Sequence, residues 1–213
     1  MKNELSIARV ILIIAPLLFS CRGPVNGENK NDILASYVSK GENYTIDTRQ
    51  SSILWKGSMV VGTNAHTGYI YMSGGTLFTD EGKIVGGTAK VDMNTIEDEA
   101  HSRENGLVDH LKSADFFEVA KYPDATFTFT KDALKNTEKS TITGNLTIKG
   151  ITHPVAFPAK IEVTNGVVTA AGRLIIDRTQ WNVLYQSGKF YDLLADQTMS
   201  DAIEFDIKII AKK

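Results

Sequence analysis

Apolar and polar residues alternate with period two along most of this chain, which predicts strands with one face turned inward and the other toward water. Residues 125–130 place apolar side chains at odd positions and threonines at even ones, and residues 142–149 carry the same rhythm at the opposite parity. Ile53, Trp55, Gly57, Met59 and Val61 alternate with Ser52, Lys56 and Ser58. Residues 66–70 and 74–78 read as two further strands, and residues 80–83 read as a hairpin turn into a strand over 84–93. Val155, Phe157, Ala159, Ile161 and Val163 alternate up to a turn at Asn165-Gly166, and residues 168–176 run back. The final strand holds Ile203, Phe205, Ile207 and Ile209 against Glu204, Asp206 and Lys208.

Residues 96–120 break this rhythm. Leu107, Leu111 and Ala114 share a face at helical spacing, Ser113 is placed to cap a second turn, and Pro123 forces Tyr122 toward an extended conformation. The pattern is therefore all-β with one short helical segment. Antiparallel strands in this number manage their edges most completely by closing into a barrel. Parity points Ile53, Trp55, Met59, Phe127, Phe129, Leu146, Ile148, Val155, Phe157, Leu174, Ile176, Phe205 and Ile207 inward. None is charged, and Trp55 Nε1 is the one polar group the set offers an interior molecule. A barrel of about eight strands either fills with side chains or encloses one small ligand, and periodicity alone leaves both open.

The N-terminus sets the compartment. Lys2 and Arg9 flank a short polar start, residues 10–19 are apolar, and Ser20-Cys21 follow. The run is shorter than the roughly 20 residues a spanning helix needs and reads as a secretory signal over residues 1–20. Leu18-Phe19-Ser20-Cys21 resembles a bacterial lipobox, so Cys21 is expected to be acylated and to anchor the chain. As the single cysteine it makes no internal disulfide. Residues 21–41, rich in Asn, Gly, Ser, Lys and Glu, read as a flexible tether, with the folded domain over 42–213. Net charge is −2, falling to about −3 once Lys2, Glu4 and Arg9 are removed. No basic stripe is present to track phosphates, which argues against nucleic acid.

Catalytic signatures are sparse. His66, His101, His110 and His153 are dispersed without metal-ligand spacing. His101 and His110 with Glu104 and Asp109 come nearest to a metal group, and no metal is expected. His66 reads as a hydrogen-bonding turn residue. No Gly-x-Ser-x-Gly elbow appears. Gly74-Gly75 and Gly86-Gly87 lie among strands, where glycine marks bulges or close backbone approach. Phe116 and Phe117 stand side by side, read either as one on the barrel with the other closing or lining its mouth, or equally as two hydrophobic anchors of the helix. Lys112 and Lys121 lie close enough in sequence to meet an anionic headgroup, although solvated surface lysines are the commoner explanation. Asp177-Arg178 reads as a structural ion pair or hydrogen-bonded corner.

Several segments, in order, resemble the YceI-like family of secreted lipid-binding proteins. They are Tyr44-Thr45-Ile46-Asp47, Ser52-Ile53-Leu54-Trp55-Lys56-Gly57, His66-Thr67-Gly68 and Val91-Asp92-Met93-Asn94-Thr95-Ile96. They continue with His110-Leu111-Lys112-Ser113-Ala114-Asp115-Phe116-Phe117, Lys121-Tyr122-Pro123-Asp124-Ala125-Thr126-Phe127, residues 144–152 and Ile176-Asp177-Arg178. The resemblance implies a lipocalin-like, eight-stranded antiparallel β-barrel with a small helix beside it. It also implies an apolar pore for a polyisoprenoid or isoprenoid quinone-like lipid, bound without cofactor or catalysis. Ligand contacts are then expected from Trp55, Met59, Phe116, Phe117, Phe127, Phe129, Leu146, Ile148, Phe157, Leu174 and Phe205. Residues 186–201 are irregular, and as a loop at the barrel mouth they would decide which ligand is admitted. The expected setting is the bacterial cell envelope, as a membrane-anchored lipoprotein facing the periplasm or the cell surface, with a homodimer left open. The contrasting expectation is an envelope interaction module with a packed, ligand-free barrel.

Overall fold

The computed structural model describes residues 41–62, 65–81, 83–130 and 140–213. The expected signal, Cys21 and nearly all of the tether lie outside them. Among the described residues the strands are β1 (Glu42–Ile46), β2 (Ser52–Ser58), β3 (Ala65–Asp80), β4 (Lys83–Asp98), β5 (Asp124–Phe129), β6 (Ser140–Ile148), β7 (Ile151–Thr164), β8 (Val167–Asp177) and β9 (Ala202–Lys212). One helix, α1 (Gly106–Lys112), joins β4 to β5. The antiparallel sheet runs β3-β2-β9-β8-β7-β6-β5-β4 and closes where β4 pairs β3, giving an eight-stranded barrel. β1 is not a ninth stave. It pairs β3 and β9 in the same slot that β2 occupies further along, so β1 and β2 form one interrupted stave.

The interruption has a local cause. Asp47 Oδ1 accepts from the amides of Arg49 and Gln50, folding residues 47–51 into a turn that loops out of the ladder. Ser51 Oγ then bonds Ile210 in both directions, accepting from its amide at 3.0 Å and donating to its carbonyl at 3.3 Å. The chain re-enters the sheet at Ser52.

Residues 66–70 and 74–78 belong to one long strand, β3, and not to two. The register of β3 against β4 shifts between Met72 and Gly74 and again between Phe78 and Thr79, so the glycines mark bulges within one continuous strand pair. The helix is also much shorter than residues 96–120. Tyr71 pairs Asp92 whereas Tyr69 pairs Glu97, which leaves four residues of β4 opposite one of β3. Thr95 Oγ1 fills that bulge, donating to the Asp92 carbonyl at 2.6 Å and accepting from the Tyr71 amide at 2.9 Å. The bulge brings Met93 and Ile96 to the same interior at a spacing of three, which mimics a helical face. Strand β4 ends at Asp98, whose carboxylate accepts from the amides of Ala100 and Ser102 and from Asn105 Nδ2. Asn105 in turn caps α1 by accepting from the Val108 amide at 2.9 Å.

Strands β7 and β8 pair only from Ala159 opposite Gly172 to Thr164 opposite Val167. Beyond that the wall parts toward the α1 end, and Pro154 and Pro158 sit where β7 has no partner on that side and no amide is missed. A short 3-10 turn, Arg178–Trp181, covers the gap. Trp181 Nε1 donates to the Leu146 carbonyl at 3.2 Å, and the His153 ring meets the Gln180 carbonyl at 3.0 Å. At the opposite end Tyr44, Ile46, Leu77, Val168 and Ala211 are buried together and close the barrel.

Candidate functional site

Between that plug and α1 the interior is not filled. It holds a cavity of about 380 Å³, within the range of small-molecule sites. The barrel is hollow.

Each sequence-predicted contact residue lines it. Strands supply Trp55 and, just past the end of β2, Met59; β5 supplies Phe127 and Phe129; β6 supplies Leu146 and Ile148; Phe157, Leu174 and Phe205 come from β7, β8 and β9. Phe116 and Phe117 follow α1, and both line the cavity, with ring centroids 6.4 Å apart and planes tilted by 48°. The expected division of labour between them does not occur, because they sit in an irregular turn after the helix and not on it. Of the other inward-assigned residues, Ile53 and Ile207 line the cavity, whereas Val155 and Ile176 pack in the wall around it.

Sequence reasoning missed the contribution of β3 and β4. Ile70 and Met72 alternate in β3 and reach the cavity, as do Ala89, Val91, Met93 and Ile96 from β4. The alternation of Gly68, Ile70 and Met72, and of Ala89, Val91 and Met93, was a usable signal; the β4 bulge hid only Ile96.

The interior is less uniformly apolar than parity implied. His66, His110, Tyr185, Gln186, Ser200 and Arg178 also line it, all at the α1 end and mostly from connections, where period-two logic does not apply. His66 is an exposed strand residue opposite Gly57, and not a turn residue. The Trp55 indole is not free for a ligand: its Nε1–H donates to the Glu97 carbonyl at 3.2 Å. Within the irregular stretch 186–201, Gln186, Met199 and Ser200 line the cavity.

An aromatic cluster closes this end. The His110 ring meets Phe116 edge-on at 5.0 Å and Tyr185 edge-on at 4.6 Å, and Phe116 and Tyr185 stand 5.3 Å apart. The α1 segment is thereby packed onto the β8–β9 connection. Lys112 and Lys121 do not line the cavity: Lys112 Nζ donates to the Arg103 carbonyl, and Lys121 pairs Glu118 and lies over the Tyr122 ring.

Arg178 holds that connection in place. Its guanidinium is 1% exposed, with Nε donating to the Ser200 carbonyl at 3.0 Å, Nη1 to the Val183 carbonyl at 2.9 Å, and Nη2 standing 3.6 Å from Asp201 Oδ1. Asp177 does not pair with it. Asp177 caps the turn through the Thr179 amide and binds Lys189 at 2.6 Å, so the two neighbours serve separate halves of one corner.

The turn leading into α1 rests on Glu97. Its carboxylate, 3% exposed as a residue, receives the Tyr71 hydroxyl, His101 Nδ1 at 2.7 Å and Arg103 Nε at 3.2 Å. Burial alone would push Glu97 up, but the bonds from His101, Tyr71 and Arg103 outweigh it and hold the group below its ordinary value. Burial, then the bond to Glu97, pushes Tyr71 to about 12. Among the described residues no group of three or more His, Cys, Asp or Glu side chains converges to hold a metal ion, and the His101, His110, Glu104, Asp109 set does not come together.

The barrel fold has known counterparts. BcnA of Burkholderia cenocepacia shares the fold at a TM-score of 0.56 and 19% identity, covering 78% of this chain and 99% of BcnA. A polyisoprenoid binding domain from Saccharophagus degradans implicated in plant cell wall breakdown does so at 0.55 and 13% identity, covering 79% of this chain and 97% of that one. Protein YceI of Escherichia coli O157:H7 is 38% identical over 102 residues, 45% of this chain and 52% of that protein, so the chain spans about half the length of the curated relatives it matches. The pattern that defines the YceI-like domain covers residues 44–211, from the first strand through the last, and the chain belongs to the YceI-like family.

Proposed function

We propose that this protein binds an apolar lipid chain inside its barrel and sequesters or carries it, without performing chemistry on it. The observation that carries the reading is the cavity itself: about 380 Å³ of unfilled interior walled by Phe127, Phe129, Leu146, Phe157 and their neighbours, with its polar groups confined to one end. Such a cavity suits a ligand that is hydrocarbon for most of its length. Affinity would come from burial at roughly 25 cal/mol per Å² of apolar surface, before ordering costs are subtracted. A structural neighbour carries the name of a polyisoprenoid binding domain, which supports a polyisoprenoid or isoprenoid quinone-like chain as the ligand class. The N-terminal pattern ending at Cys21 supports action at the bacterial cell envelope from a lipid anchor. The packed interaction module loses its main premise, since the barrel is not packed.

The test is mass spectrometry of an organic extract of the folded chain purified from a bacterial host. One lipid per protein is expected, and it should be lost from Leu146→Asp, which puts a charge on the wall. Should that variant not fold, Ala170→Leu fills the cavity from a buried wall position with an apolar side chain and should also reduce retention. Unchanged retention in a folded variant of either kind would overturn the site, and an extract without lipid, together with no uptake of added isoprenoid, would overturn the function.

A further inference from the structure

The α1 end of the barrel carries an apolar surface that the cavity does not use. Val60 and Val61 in the β2–β3 connection, and Phe190, Tyr191 and Leu194 in the β8–β9 connection, are between 49% and 68% exposed and none lines the cavity. Backbone bonds join the two connections. The Val60 amide donates to the Thr198 carbonyl and the Ser200 amide to the Ser58 carbonyl, both at 2.9 Å, and Met59 bridges Met199. The amides of Phe190 and Tyr191 both return to the Ser187 carbonyl at 3.0 Å, and Ser187 bridges Met199 in turn. A lone exposed apolar residue needs no explanation, but five on two joined connections form a patch.

We propose that this rim docks onto a lipid bilayer, with the five side chains seated at the boundary of headgroups and acyl chains, so that the barrel mouth faces the membrane. The proposal rests on the lipid-binding reading above and adds the route by which cargo is exchanged. Three observations select a neutral lipid surface as the occupant. Met59 and Met199, which join the two connections, also line the cavity, so apolar surface continues from the rim to the interior. Lys189, the exposed cation of the β8–β9 connection, is held by Asp177 at 2.6 Å and Asp201 at 3.2 Å, while Asp192 and Asp196 stand exposed. These connections therefore do not attract anionic headgroups, and docking is by apolar burial. Finally, β1 begins at the closed end, yet residues 21–41 reach about 70 Å when extended. That exceeds the roughly 36 Å spanned by the 11 residues of β9. A chain held at Cys21 can thus present its mouth to the same membrane.

The experiment places an indole at the rim of the full chain, as Phe190→Trp, and adds phosphatidylcholine vesicles brominated in their acyl chains. Fluorescence beyond the wild-type background should be quenched, whereas Glu162→Trp, on the outer wall toward the closed end, should be untouched. This reads insertion of the rim independently of the N-terminal anchor. Adding Val61→Asp and Leu194→Asp should raise the vesicle concentration for half-quenching about tenfold or more. Leu194 precedes a 3-10 turn that lacks a side-chain cap, so an aspartate there suits the fold. Replacing part of the lipid with phosphatidylglycerol should not strengthen quenching. Equal or absent quenching at the two positions overturns the proposal, as does quenching that requires anionic lipid, or a spectral shift that follows protein concentration and not vesicles, which would assign the patch to a second copy. Quenching by protein whose extract holds no lipid sustains docking while removing the cargo reading; a lipid-filled barrel with no quenching does the reverse.

Discussion

At Gly144, opposite Phe129 in the β5–β6 ladder, a Cβ would sit 2.3 Å from Phe127 Cζ and 2.6 Å from the Thr128 carbonyl oxygen. The missing side chain lets the Phe127 ring lie across β6, edge-on to Phe129 at 4.7 Å, and shape the wall of the cavity. Gly68 does the same for the Trp55 indole, where a Cβ would fall 2.7 Å from Cζ2. Gly144→Ala should therefore cost about 1–3 kcal/mol, read as a lower denaturant midpoint at unchanged slope. A second residue-scale expectation concerns Glu97. Its folded value lies below the ordinary 4.5, so the ionised group contributes stability that is present above that value and is lost as pH falls through the depressed one. Glu97→Gln should flatten this acid limb of the stability–pH profile, and an unaltered limb would show that the carboxylate is not held as described. Inward parity was readable residue by residue wherever a strand is regular, which is why Leu146, Phe157 and Phe205 were found. Trp55 was placed correctly, but its hydrogen bond was not, because the acceptor is a backbone carbonyl 42 positions away.

The elements divide along the same line. Strands β5 to β9 were legible from alternation and turn residues because none of the ladders between them carries a register shift. Strand β4 was cut short because the bulge around Thr95 puts Met93 and Ile96 three apart on one face, a spacing that a helix also produces. The connection from Arg178 to Asp201 has no period to read. Its order comes from one guanidinium that satisfies carbonyls on both arms. Arg178→Met should cost about 3 kcal/mol or more by leaving those carbonyls and Asp201 without their buried partner. Arg178→Lys should recover only part of this, since an ammonium lacks the planar fork. Limited proteolysis between residues 186 and 201 is the direct readout, and equal resistance in all three proteins would remove Arg178 from this role.

For the whole molecule, closure and hollowness are separate properties with separate causes. Closure follows from strand number and edge avoidance, and alternation made it readable. Hollowness depends on how far side chains reach across the interior. Tyr44, Ile46 and Leu77 meet at one end, whereas small residues such as Ala89, Ala125 and Ala170 leave the middle open. No one-dimensional pattern states that balance, which is why periodicity could not separate a filled barrel from an empty one. The central claim is that the open space holds an apolar lipid, and native mass spectrometry of the intact chain purified from a bacterial host tests it most directly. The account predicts a second species heavier than the protein by the mass of one lipid, which collapses to the protein mass in organic solvent and is missing from Leu146→Asp. A single species at the protein mass, unchanged after incubation with isoprenoid lipid, would contradict it.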